Sequence, residues 1–555
     1  MSFHKLTQTQ SRWPTCGALA LTLSMAIPEL ILFGPVGRAQ ESVAVESTGS
    51  DWIQFKGDSP KTGEAKDSLS LPPALMWKHS SKPFFENPVS ALTQGDRTYF
   101  FSERYVYCLD GEAGSIVWWQ QVEGPIRATP ALGDGLLFVP STDSMLYAFQ
   151  ADSGAVVWMF PTSGLLRSHV LFHDGKVVFG SDDNNVYCLT AANGALEWKF
   201  STGGDVISGP AARDGYYYFL SSDGNLYCAE ADGKPYWRTP IPGGGQKSSS
   251  PAIGEDYIWL TNGKLLFGLR RRTGRVQHRI STDGEILSSP AMDDRNVYVG
   301  TKDGDFYAID ARSGRTTWKV NLGLPVLSTP TIVQNTILVG TTKGLVLALS
   351  ADDGKTLWQY RIEWLSKGGN HVAASPTVSR GSLYIVGDNG ALYGFKPWGM
   401  DLAAPETTDA RVKLKARDGA MVYYSFDPAT PSDPDPIPQL RGVPPILFSV
   451  TLTDLGSGVD PSSIGLTMND EPKELVYNSV EGIVESSLGP QVVPGVAMRA
   501  IADGGYTIGL SAKDWRGNEL LRQYKLIINN QLPPPDAVGK TSTTTDTGPG
   551  IGMPF

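Results

Sequence analysis

The sequence predicts an all-β protein, an eight-bladed β-propeller followed by a smaller β-sandwich. Three observations carry this. The 555 residues include 61 Gly and 39 Pro, which punctuate hairpins and break helices. A glycine recurs at Gly114, Gly154, Gly194, Gly233, Gly274, Gly314 and Gly354, spaced 39 to 41 residues apart. Four residues after these stand Trp118, Trp158, Trp198, Trp237, Trp318 and Trp358, with His278 in the vacant slot and Trp77 ahead of the series. A forty-residue period of short alternating strands is a propeller blade rather than a helical solenoid.

Each unit divides into four strands. The innermost follows a Ser-rich approach to Pro (ISGPAA, SSPAM, LSTPTI), and the second is apolar (YYYFL, NVYVG, TILVG). The third carries a Tyr (NLYCA, DFYAID) and the outermost the Trp (ALEWKF, VVWMF, TTWKV). Asp223-Gly224, Asp303-Gly304 and Asn389-Gly390 join the second strand to the third, as tight hairpins whose two central residues both want φ > 0. The array opens on a Trp strand at Trp77 and ends on a Tyr strand at Tyr393. The Trp77 strand is therefore expected to complete the eighth blade and close the ring, which removes open edges. The propeller is expected over residues 75–399.

The flanks read differently. Lys5 and Arg12 precede an apolar run from Cys16 to Ile27, and Gly37 and Ala39 suit a cleavage site. Residues 1–39 read as a signal peptide, since a membrane span needs about 20 apolar residues. A secreted or periplasmic location follows, with membrane association only through a partner or an uncleaved anchor. Residues 40–74 form a lead-in and 400–530 a second β domain with strands at VKLKA, VYYSF, ILFSVTLTD, YTIGLSAKD and YKLII. The stretch TPSDPDPIP at 430–438 reads as an irregular Pro-rich loop, and 531–555 as a disordered tail.

The repeat Y-x-L-x-A-x-x-G-x-x-x-W resembles the tryptophan-docking repeat of quinoprotein dehydrogenases. It is similar also to that of the propeller subunit of the outer-membrane β-barrel assembly machine, the closer of the two in type. DWIQFKGDSPKTG, residues 51–63, resembles the lead-in of such propellers. DLGSGVDP (454–461) and AKDWRGN (512–518) are similar to bacterial immunoglobulin-like modules. For the quinone enzymes the resemblance implies pyrroloquinoline quinone held under an adjacent-cysteine disulfide, with calcium and a catalytic carboxylate in the channel. No two cysteines are adjacent here. Cys108, Cys188 and Cys228 stand where other blades have Ala148, Ala308 and Ala348, so Cys188 and Cys228 are expected to be free, buried thiols.

A formal charge of −10 argues against a nucleic-acid partner, which needs a basic face. His169 and His173 are four apart, so a strand would point both to one face, but no third metal ligand accompanies them. Asp454, Asp460 and Asp514 offer carboxylates for calcium, yet Asp-x-x-Gly-Asn more often makes a turn. No catalytic, cofactor or metal residue is therefore assigned. The candidates for a partner site are the basic and aromatic residues in loops entering the innermost strands: Arg127, Arg167 and Lys247, then Trp364, Lys367 and His371 in the long loop of the eighth blade. The expected function is a non-catalytic extracytoplasmic protein-interaction scaffold for envelope or outer-membrane assembly. A quinoprotein-like oxidoreductase and a carbohydrate- or polymer-binding module are the alternatives.

Overall fold

Eight antiparallel four-stranded meanders follow one another in the chain. The structure is a computed structural model describing residues 50–533 except 82–88, 243–248, 363–370, 398–400, 417–419, 427–436, 444 and 490–499. The signal segment, the Pro-rich loop (apart from 437–438), most of the tail, Lys247, Trp364 and Lys367 lie outside the described residues. Blade 2 is typical, with strands Ala131–Gly133, Leu136–Pro140, Met145–Gln150 and Val156–Pro161 in that order from the axis outward. In blade 8 the outer strand is Ala74–Ser80, which pairs antiparallel with Ala391–Lys396. The ring is thus closed by joining the two ends of the array.

The repeated glycine and tryptophan make one contact. Gly154 has φ +72°, and a Cβ there would lie 2.6 Å from the Trp118 ring of the preceding blade. The same close approach joins Gly114 to Trp77, Gly194 to Trp158, Gly233 to Trp198, Gly274 to Trp237, Gly314 to His278 and Gly354 to Trp318. The docked indoles of Trp77, Trp118, Trp158, Trp198 and Trp318 then donate Nε1–H to a carbonyl of the next blade, Trp118 to Ala151 O and Trp158 to Ala191 O at 2.9 Å, whereas Trp237 Nε1 has no partner among the described residues. Across the ladder the indole faces a small residue: Cys108 opposite Trp118, Cys188 opposite Trp198, Cys228 opposite Trp237, Ala148 opposite Trp158. The cysteines are free and buried, and burial pushes the Cys188 and Cys228 thiols up to about 12. Where His278 replaces the indole, Trp259 on the second strand fills the volume, stacked on the imidazole at 5.6 Å.

The hairpin expectation needs correction. In the expected Asp-Gly and Asn-Gly turns between the second and third strands only the glycine has positive φ, as at Gly224 (+83°), Gly304 (+86°) and Gly390 (+77°). The preceding Asp keeps ordinary φ because its carboxylate accepts the N–H two residues on, Asn225 N to Asp223 Oδ1 at 2.9 Å. Turns with both central residues at positive φ join the first and second strands instead, at Asp134-Gly135, Asp174-Gly175 and Asp214-Gly215.

The second domain comprises two five-stranded sheets. One is built on Glu406–Lys415 and Ile446–Thr453, the other on Val459–Met468, Gly504–Asp514 and Glu519–Ile528. Val412, Phe448, Val484, Leu510, Tyr524 and Leu526 share the core between them. Its seat on the propeller reuses the indole-to-carbonyl bond of the docking contact. Trp358, the outer-strand indole of blade 7, donates Nε1–H to Ser457 O at 2.9 Å. Gly458 (φ +87°) lies against Gln359 O and Tyr360, and Trp515 Nε1–H returns a bond to Gln359 O.

Gly154→Ala is expected to cost about 2–5 kcal/mol, from the left-handed backbone and the collision with Trp118. Cys188→Ala, which installs the residue other blades carry, costs under about 1.5 kcal/mol. Denaturant unfolding of both variants, with native-state alkylation of Cys188 as a burial check, tests this; equal losses would refute the docking account.

Candidate functional site

The axis is where a propeller keeps a ligand, and here residues 51–65 occupy it. The innermost strands are two or three residues long and turn one ladder edge toward the channel, so their N–H groups need acceptors. The lead-in supplies them in order around the ring. Thr93 N, Leu132 N, Ala212 N, Ile253 N, Met292 N and Ile332 N donate to the carbonyls of Trp52, Ile53, Ser59, Pro60, Thr62 and Gly63 at 2.7–3.0 Å. Phe172 N donates to Gln54 Oε1, and Glu64–Ala65 adds a short parallel strand to blade 7. Residues expected merely to precede the propeller are thus its central strap.

Two strap lysines are sealed inside, Lys56 at 1% and Lys61 at 0% exposure. Lys56 Nζ donates to Pro290 O at 2.5 Å and Ser250 O at 3.3 Å, whereas Lys61 Nζ reaches Val170 O and Gln54 Oε1 at 3.5 Å. Burial drives the Lys56 ammonium well below its usual range and Lys61 to about 7, partly opposed by the Asp58 carboxylate. Asp58 itself is raised by burial while it accepts from Thr62 N and Oγ1.

Both candidate histidines are held by this strap rather than by a metal. His169 stacks on Phe55 at 3.8 Å and accepts from Thr129 N; burial, then the two lysine charges, lower it to about 3. His173 Nδ1 lies 3.2 Å from Ser59 Oγ. The strap's side chains and backbone line this part of the channel.

On the mouth face, the loops are pinned by a repeated clamp. Tyr147, Tyr187 and Tyr227 donate their hydroxyls to Asp143, Asp183 and Asp223 at 2.6 Å. The same carboxylates accept from Gly124 N, Ser163 N and Gly203 N in the incoming loops. Arg127 pairs with Glu103, and Arg167 with Asp182 and Asp205, so these two cations are charge-compensated rather than a free basic rim. His371 packs beside the blade 7 turn, accepting from Lys343 N at 3.4 Å.

Two surfaces escaped the sequence reading. One residue beyond the docking aromatic, blades 3 to 6 carry Lys199, Arg238, Arg279 and Lys319, whereas blades 1 and 2 carry Trp119 and Met159. Trp119 and Met159 are 55% and 53% exposed, beside exposed Ile116, Val117, Val156 and Val157. Comparing equivalent positions along the repeat would have found this patch. The second surface is acidic: Asp401, not Asp460, joins Asp454 and Asp514, with carboxylate oxygens within 4.8 Å of one another. Asp460 instead accepts from Ser462 in its own turn.

Eight docked meanders around a filled axis define a tryptophan-docking repeat propeller with an appended two-sheet domain. The sequence pattern of the family described as "Outer membrane protein assembly factor BamB" matches residues 72–165, 148–283 and 227–430, and the chain belongs to that family. Among solved structures, BamB from Moraxella catarrhalis is 18% identical, the match covering 58% of this chain and 99% of that one at a TM-score of 0.49. The quinohemoprotein alcohol dehydrogenase from Comamonas testosteroni is 13% identical over 64% of this chain and 82% of that one, TM-score 0.54. A europium-containing methanol dehydrogenase is 12% identical over 62% and 98%, TM-score 0.53. The likeness to the two dehydrogenases is one of fold. No curated protein matches the sequence.

Lys61 yields a pH prediction. Its folded pKa lies below the unfolded value, so the unfolded chain binds more protons between them and stability rises with pH there. Between pH 7 and 9, Lys61→Met is expected to gain less stability than the wild type, by up to about 1.4 kcal/mol per pH unit. Melting curves across that range measure it; parallel slopes would place Lys61 in water.

Proposed function

We propose that the protein is a non-catalytic scaffold of the cell envelope that holds protein partners during outer-membrane protein assembly, located outside the cytoplasm. The observation that carries this reading is the family match over residues 72–430, in a chain without the adjacent-cysteine pair that the quinone resemblance implies. Family membership supports an assembly role. Among the described residues no helix is long and apolar enough to cross a membrane. What remains for function is surface on a stiff frame: the clamped mouth loops, the apolar edge of blades 1 and 2, and the immunoglobulin-like second domain. Apolar aromatic positions standing clear of a polar surround are what a partner interface uses.

Trp119→Lys with Met159→Lys gives blades 1 and 2 the basic residues of their neighbours, so the fold should tolerate it. The full chain is expected to co-purify a β-barrel insertase from crosslinked envelopes. That partner should be lost from the double variant, or from Arg127→Ala with Arg167→Ala if the mouth face is the contact, at unchanged melting temperature. Recovery of no envelope protein by the wild type, or dye-linked alcohol oxidation after reconstitution with quinone and calcium, would overturn the reading.

A further inference from the structure

A cavity of about 280 Å³ lies at the seam between blade 7 and the second domain. Gln359 and Arg361 of the outer strand Thr356–Arg361 line one side, and Leu452, Asp454, Leu455 and Tyr477 the other. Neither of its two charged groups has an ion-pair partner among the described residues, and Arg361 feels only the more distant charge of Glu481. The Arg361 guanidinium donates to Val480 O at 3.2 Å and lies against Gly482, but among the described residues it forms no ion pair. Asp454 accepts from Gly458 N and among the described residues meets no cation. Burying an unpaired charge is costly, and a ligand that supplies the partner recovers that cost.

The Asp401, Asp454 and Asp514 group does not by itself make a cation centre. Asp401 Oδ2 accepts from Ser457 N at 2.6 Å, and Asp514 Oδ1 from Arg516 N and Asn518 N at 2.8 Å. Asn518 Nδ2–H donates to Asp514 Oδ2 at 2.6 Å. N–H groups thus point at the oxygens that calcium would need, and calcium takes six to eight. What the other two carboxylates do is hold negative potential at the Asp454 end: burial first, then their charges, raise Asp454 to about 6. The propeller side of the cavity is therefore cationic and the second-domain side anionic, with Leu452, Leu455 and the Tyr477 ring beside Asp454.

We propose that this seam cavity binds a small zwitterion of amino-acid or dipeptide size, its carboxylate on Arg361 and its ammonium on Asp454. A guanidinium takes a carboxylate through two parallel N–H bonds, and the volume lies just below the range for drug-sized ligands. Because both domains contribute a charge, occupancy would fasten the second domain to blade 7. The inference is independent of the assembly role.

Calorimetry of the full chain with glycylglycine and 6-aminohexanoate, against propionate, propylammonium and calcium chloride at matched ionic strength, tests it. At least one zwitterion is expected to bind saturably and raise the melting temperature, and the single charges are not. Arg361→Gln and Asp454→Asn should each weaken binding at least tenfold. Leu455→Trp, at an exposed lining position, should block binding with the apo melting temperature unchanged, which separates loss of the site from loss of the fold. Binding of no zwitterion, equal binding of propionate, or a calcium effect that survives Arg361→Gln would each overturn the proposal.

Discussion

The propeller depends on one contact, an indole laid on a glycine of the next blade. A four-stranded meander cannot bury both of its faces alone, so each blade needs a fixed distance and rotation to its neighbour. The indole sets both. Its face requires a glycine with positive φ, its Nε1–H requires a carbonyl just ahead of that glycine, and its other face requires a small residue on the third strand. Three positions of the forty-residue unit are thereby coupled, which is why Cys, Ala and Gly alternate opposite the aromatic. The exception obeys the same rule: His278 leaves volume, and Trp259 takes it.

That contact also explains how a second domain can be attached firmly. Every outer strand offers a docking aromatic to the blade that follows. The Trp358 indole of blade 7 is instead met by Ser457 O, with Gly458 against its strand. The second domain therefore supplies the carbonyl that a following blade would offer the indole, though Gly458 lies against Gln359 O and Tyr360 rather than under the Trp358 ring.

Legibility in the sequence followed periodicity. Repeated features were readable because each occurs many times: the blade, the strand order, the ring closure through Trp77, and the small slot filled by cysteine. The strap was not, because its role is expressed once. Lys56 and Lys61 look like ordinary surface lysines in a polar loop, and nothing local says that they end on the carbonyls of Pro290 and Val170. Turn chemistry misled for a related reason. Asp-Gly reads as a turn with two left-handed residues, but an Asp whose carboxylate already holds a nearby N–H has no need of positive φ. In the second domain, strand Val459–Met468 was hidden by Pro461, Ser462 and Ser463, which sit in a register break between Asp460 and Gly465. Asp401 was missed because it stands outside the two signatures, DLGSGVDP and AKDWRGN, that singled out Asp454 and Asp514.

A filled axis changes what the fold can do. Strands of two or three residues form a weak inner ring, and in an open channel their free edges would be wetted. Here the strap supplies the missing acceptors, at the cost of burying two lysine amines that only carbonyls, Gln54 and Asp58 offset. Such an arrangement trades a binding cavity for rigidity. In blades 2 to 4 the loops on the mouth face gain a second restraint from the Tyr–Asp clamp, which ties the incoming loop to the hairpin beside it. A frame stiff at its centre and at its rim presents surfaces whose positions do not depend on a bound cofactor. That suits the scaffold role proposed above, and it leaves specificity to the places where the repeat is broken: Trp119 and Met159 on one side, and the seam at Trp358 on the other.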